Sequence, residues 1–250
     1  MNHLMTTTDK KLINASGFTL IELSIVLIII GFLIAGVYAG TTLIKQAQLR
    51  SVVEDFQKYS MMYNTFYNKY NKVPGDTNIA FSLWGTECAA SMALCNGNNN
   101  GIIFNNDESN KAWKHLQLAG LLNSNIAIPN GIEESKIGVN APASKIKGGG
   151  YMFFGDLSPY TNKDNVIFIG SERPSTMLIG SILTPYESWS IDQKIDDGAL
   201  DDSGNHSGSI TGMVRAISGS GGSCMNSVTN YYNITIATPA CRLGMKVNTW

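Results

Sequence analysis

Charge is scarce in this 250-residue chain, at 15% of residues, with 18 Lys and Arg against 19 Asp and Glu. No stretch gathers Lys and Arg into the basic footprint that nucleic-acid binding requires, which argues against a nucleic-acid partner. Histidine is scarcer still: past the first few residues there are only His115 and His206. His115 shares a helical pattern with Trp113 and reads as a surface or edge residue rather than a base. Gly-x-Ser-x-Gly, His-Glu-x-x-His and phosphate-loop patterns are all missing. The Gly/Ser run around Gly219 lacks the strand-to-helix context of a phosphate cradle. No catalytic residue emerges, and nothing argues for an enzyme. Proline is absent from Met1 to Lys72, and cysteine from everything before Cys88.

What the N-terminal region has instead is an apolar run. Phe18 to Gly40 holds a single charged residue, Glu22. As a helix it is about 35 Å long, enough for a hydrocarbon core of about 30 Å. Lys10 and Lys11 precede it, so the positive-inside rule leaves the N-terminus in the cytoplasm and everything after Lys45 outside that membrane. The apolar pattern then continues one-sidedly through Leu49, Val52, Val53, Phe56, Tyr59, Tyr63, Phe66, Tyr67 and Tyr70, in steps of three and four. "KVPGD" at Lys72–Asp76 stops it. The spacing predicts one helix from about Phe18 to Asn71, apolar all round in its first half and amphipathic in its second.

At Gly17-Phe18-Thr19-Leu20-Ile21-Glu22 the sequence resembles the type IV prepilins and type II secretion pseudopilins. The resemblance implies a leader of residues 1–17, cleavage between Gly17 and Phe18 by a membrane prepilin peptidase, and N-methylation of Phe18. It implies a long helix over 18–72, membrane-spanning over 18–40, and a globular periplasmic domain over 73–250. Its partners are then homologous pilin or pseudopilin subunits and an inner-membrane assembly platform. It also accounts for Glu22. A carboxylate near the membrane edge costs up to about 3 kcal/mol, offset when the new α-amino group of Phe18, on the same or a neighbouring helix, meets it in the filament. Ala39 stands where many major pilins have a proline, which leaves Gly31, Gly36 and Gly40 as the soft points of the helix. An ordinary secretory signal cleaved after Val37-Tyr38-Ala39 is the competing reading, against which the apolar region is too long.

Beyond Lys72 the chain turns rich in Gly, Asn and Ser. Short apolar runs at Tyr151–Leu157, Val166–Gly170, Met177–Leu183, Gly212–Ile217 and Tyr231–Thr238 read as strands. Helices are expected over Asn110–Leu122 and after Thr184-Pro185-Tyr186-Glu187, a capping box. The expected fold is α+β, pilin-like, the long helix packed on an antiparallel sheet. Cys88, Cys95, Cys224 and Cys241 form two sequence-local couples without metal-ligand spacing: two disulfides in an oxidising compartment, four buried thiols otherwise. Two polar loops carry oxygen ligands suited to Ca²⁺. Asn96, Asn98, Asn100, Gly101, Ile103 and Asp107 follow EF-hand spacing with neutral Asn for Asp, or else form a disulfide-closed turn. Asp192, Asp196, Asp197, Asp201 and Asp202 form an acidic stretch, a calcium loop or a solvated turn. The functional expectation is a structural subunit of a type II secretion pseudopilus or a type IV pilus. The alternative is a minor pilin at a filament tip that binds a surface, DNA or secretion cargo, with Tyr231, Tyr232 and the Cys224–Cys241 loop as the contact surface.

Overall fold

The structure is a computed structural model that describes residues 17–104, 106–128, 134–155, 160, 164–196, 198, 209–219 and 223–247. The chain divides into two compact units, Met1–Lys45 and Gln46–Trp250. Helix α1 runs Leu20–Tyr70, within two residues of the predicted bounds. In the first unit every residue from 17 to 39 is exposed, as an apolar helix without protein neighbours must be. In the second unit Leu49, Val52, Phe56, Tyr59, Tyr63 and Phe66 are buried, which is the predicted stripe.

The sheet holds four antiparallel strands in the order β1-β2-β4-β3: β1 Gly149–Gly155, β2 Asn165–Ser171, β3 Val214–Ser218 and β4 Cys241–Lys246. Alternation along the strands sends Tyr151, Phe153, Ile167, Ile169, Ala216 and Leu243 to the face that shares a core with the α1 stripe. Aromatic rings make much of that contact. Phe56 meets Tyr151 edge-on at 6.0 Å, Tyr63 lies 5.9 Å from Phe153, and Trp113, on a later helix, lies 4.9 Å from Tyr59 and 4.4 Å from Phe153. Such pairs add about 0.5–1.5 kcal/mol each beyond the area they bury. The architecture is the expected α+β arrangement.

Helix α4, Asn106–Leu118, starts and ends four residues before its predicted bounds. Gly120 adopts φ +75, and the N–H of Leu121 folds back onto the Leu116 carbonyl at 3.0 Å, so the helix closes before Leu122. Short helices α2, Ala80–Trp84, and α3, Met92–Cys95, precede it. Helix α5, Pro185–Ile195, opens on the predicted capping box, with Thr184 and Glu187 bonding reciprocally. Two strand expectations need correction. Met177–Leu183 makes only single bridges, Gly180 to Ser171 and Leu183 to Cys241. Tyr231–Thr238 is a loop, and the strand is the following Cys241–Lys246. Asn226 ties that loop locally by accepting from the N–H groups of Val228 and Thr229.

Both sheet edges are occupied by the chain's own loops. On β1, Tyr151 N donates to Pro142 O and Gly155 N to Ile103 O; on β3, Ala216 N donates to Ser209 O and Val214 N to the Asp196 carboxylate. Those outward donors are therefore not available to pair with another chain.

Candidate processing and assembly site

The first described residues build a helix start around one carboxylate. Glu22 Oε2 accepts from Thr19 N–H at 2.8 Å and from Thr19 Oγ1 at 2.8 Å, while Thr19 Oγ1 accepts from Glu22 N–H at 3.2 Å. This is a capping box in which Thr19 is the cap and Glu22 the third helical residue. Thr-x-x-Glu is legible in the sequence, yet Thr19 was not among the expected site residues. The box gives acceptors to two of the backbone N–H donors that a helix start leaves unpaired, those of Thr19 and Glu22, and it places the carboxylate at the positive end of the helix dipole, an effect of about 0.3–1 kcal/mol. Glu22 thus has a partner within its own helix before any second subunit arrives. Its other oxygen, Oε1, makes no hydrogen bond among the described residues.

From this start α1 presents Leu20, Phe32, Ile34, Val37 and Tyr38 to the outside, among other apolar side chains. It is the one helix among the described residues long and apolar enough to cross a membrane. A helix apolar on every side has no stable place in water, so it needs lipid or other helices around it. Residues 13–38, which hold the glycine, the capping box and most of this run, match the family model of the prokaryotic N-terminal methylation motif. The N-terminus is that of a type IV prepilin-like protein. No curated protein and no solved structure matches the chain. The motif supports a type IV pilin-like subunit and implies processing by a peptidase and pilin-type assembly.

The remaining candidates lie in the second unit. The four cysteines form the disulfides Cys88–Cys95 and Cys224–Cys241. Both tie loops: Cys95 ends α3, and Cys241 opens β4.

His115 is not a surface or edge residue. It is fully buried, stacked on Phe66 at 6.3 Å and tilted against Trp84 at 5.6 Å. Its Nδ1 accepts from Gly75 N–H at 2.8 Å, and its Nε2 lies 2.9 Å from Cys95 O. The ring joins the turn after α1 to the first disulfide loop. Its ligand atoms and those of Cys88 and Cys95 lie within 4.8 Å of one another. With the sulfurs joined and both ring nitrogens bonded, that cluster is a structural clasp.

The Asn-rich loop is likewise turned on itself. Asn96 Oδ1 accepts from Phe81 N, Asn98 Oδ1 from Asn100 N, and Asn100 Oδ1 from Ile102 N, while Asp107 pairs with Lys111. Gly101 N donates to the Asp76 carboxylate, and buried Ile103 donates its N–H to Asn165 Oδ1. The oxygens expected to face a cation face backbone donors. Glu108, whose carboxyl is pushed up by burial, holds the N–H groups of Asn98 and Phe104.

In the acidic stretch, buried Asp192 accepts from Tyr232 Oη at 2.7 Å, and Asp196 accepts from the N–H groups of Met213 and Val214. Asp197, Asp201, Asp202 and His206 lie outside the described residues. The bond to Asp192 also buries Tyr232, removing it from the contact surface expected of it. Val228, 87% exposed, is the outermost apolar side chain of that loop.

Proposed function

We propose that this protein is a subunit of a type II secretion pseudopilus or a type IV pilus, with the secretion pseudopilus slightly preferred. Residues 1–17 are the leader, 18–72 the assembly helix, and 73–250 the globular domain, held in the periplasm by a helix anchored in the inner membrane. A prepilin peptidase cleaves between Gly17 and Phe18, the new N-terminus is methylated, and an inner-membrane platform feeds the subunit into a filament of homologous chains. The observation that carries this reading is a methylation motif set on a helix whose apolar half is exposed on every side and whose other half is the core of a disulfide-tied domain. Apolar packing of neighbouring helices supplies the association energy. Glu22 supplies register: buried without a cation it is costly, so the favoured packing pairs its Oε1 with a Phe18 amine.

The test is the intact mass and N-terminal sequence of the protein taken from native membranes. The expected chain begins at N-methylated Phe18 and is lighter than its reduced form by two hydrogens per disulfide. A chain beginning at Gly40 would remove Glu22 from the mature molecule and end the filament reading.

A further inference from the structure

The sheet face turned away from α1 is apolar: Met152, Val166, Phe168 and Ile217 are buried there, and Leu178 covers it. Among them, opposite Ile217 in the register, stands Arg242 of β4. The residue is only 8% exposed, with its guanidinium carbon 5.4 Å from the centre of the Phe168 ring. Burial pulls its pKa down to about 10, which leaves it charged at neutral pH.

Each of the other buried ionisable acids and lysines among the described residues has at least one close hydrogen-bond or ion-pair partner. Lys111 donates to two carbonyls and Asp107; Asp76 and Glu108 hold backbone N–H groups; Asp164 pairs with Lys246; Asp192 takes the Tyr232 hydroxyl. Arg215, the next cation on the same face, lies over the Tyr160 ring and bonds Gly212 O. Among the described residues Arg242 has one long bond, Nη2 to Ser218 O at 3.4 Å, and its enclosed Nε has no acceptor. A second enclosed donor with no partner among the described residues, the Ser181 hydroxyl, lies against Gly219, the residue after that same Ser218. Two unmatched donors, one of them a full charge, sit at one end of β3.

We propose that Arg242 and Ser181 form a receptor for a single carboxylate from outside this fold. Two donors without acceptors call for an acceptor-only group, and the flat guanidinium edge matches the two oxygens of a carboxylate. Arg215 is engaged by Tyr160 and Gly212, so the single charge of Arg242 balances a monoanion, whereas a phosphate dianion would bring uncompensated charge into the apolar face. The carboxylate comes either from a free small acid or from an acidic residue of a second copy.

The experiment follows the Arg242 Nε–H signal by nitrogen-labelled NMR of the full chain in detergent micelles, assigned by its loss in Arg242→Lys. Acetate replaces chloride at constant ionic strength, with phosphate in a parallel series. A saturable shift with acetate, weakened about 2- to 10-fold in apparent affinity in Ser181→Ala by loss of one hydrogen bond, supports the receptor. A shift that grows with protein concentration and is reversed by acetate also supports it, and identifies a second copy as the source. A signal indifferent to both acetate and protein concentration overturns the proposal. An equal saturable response to phosphate overturns the carboxylate assignment.

Discussion

Acidification should loosen the domain through one residue, His115. A backbone N–H can only donate, so the 2.8 Å bond from Gly75 makes Nδ1 the acceptor and leaves the proton on Nε2, facing Cys95 O. A second proton would set donor against donor. Burial, with Lys111 adding to it, lowers the pKa from 6.5 to about 4. The unfolded chain therefore binds the proton first as pH falls. The stability that the neutral ring contributes is complete above 6.5 and is lost progressively down to about 4. At about 1.4 kcal/mol per pKa unit, this amounts to roughly 2 kcal/mol by pH 5 and about 3 kcal/mol at pH 4. The assay is urea unfolding of the full chain in mild detergent, followed by tryptophan fluorescence, at pH 7 and pH 5, for wild type and His115→Gln. Glutamine starts less stable but cannot take up the proton. Wild type should lose about 2 kcal/mol more than the variant over that interval. Glu108, whose raised pKa works in the opposite direction, is common to both proteins and cancels. Equal losses would refute the neutral, buried clasp.

Three other perturbations probe other parts of the molecule. Glu22→Ala removes the capping box, worth about 1 kcal/mol, so membrane insertion should survive while incorporation into filaments falls; normal incorporation would refute the pairing argument. Cys224→Ser should lower stability by about 3 kcal/mol for a loop of this length. Alkylation of all four thiols in unreduced protein would refute both bridges. Phe56→Ala, at a fully buried position facing Tyr151, should cost about 3–5 kcal/mol in denaturant unfolding and leave the apolar half of α1 unaffected. A loss below 1 kcal/mol would mean that this stretch of α1 is not the core of the domain.

Sequence determined what is encoded within a few residues. The α1 stripe, the stop at Lys72–Asp76, the Thr184 capping box and the prepilin-like start each rest on neighbours one to four positions apart, and the structure places the stripe, the stop and the box where the residues indicate. The short span from Cys88 to Cys95 belongs to the same class. The Thr19–Glu22 box is equally local, since its partners stand three residues apart.

Tertiary structure decided what depends on distant partners. Strand β4 alternates Cys241, Leu243 and Met245 with Arg242, Gly244 and Lys246, a pattern that is short and interrupted by two charges and a glycine. It becomes a strand because β2 and β3 flank it on both sides and Tyr160 Oη bonds the Gly244 carbonyl. His115 looked peripheral from its helix alone. The groups that bury it, Gly75 and Cys95, lie 40 and 20 residues away. The Asn-rich loop spelled a cation site by spacing, and the fold gave its oxygens to backbone donors instead. Local patterns state which element forms, because helix and cap energies are settled between near neighbours. Which buried charge is answered and which, like Arg242, is left over is settled only when the chain brings remote segments together.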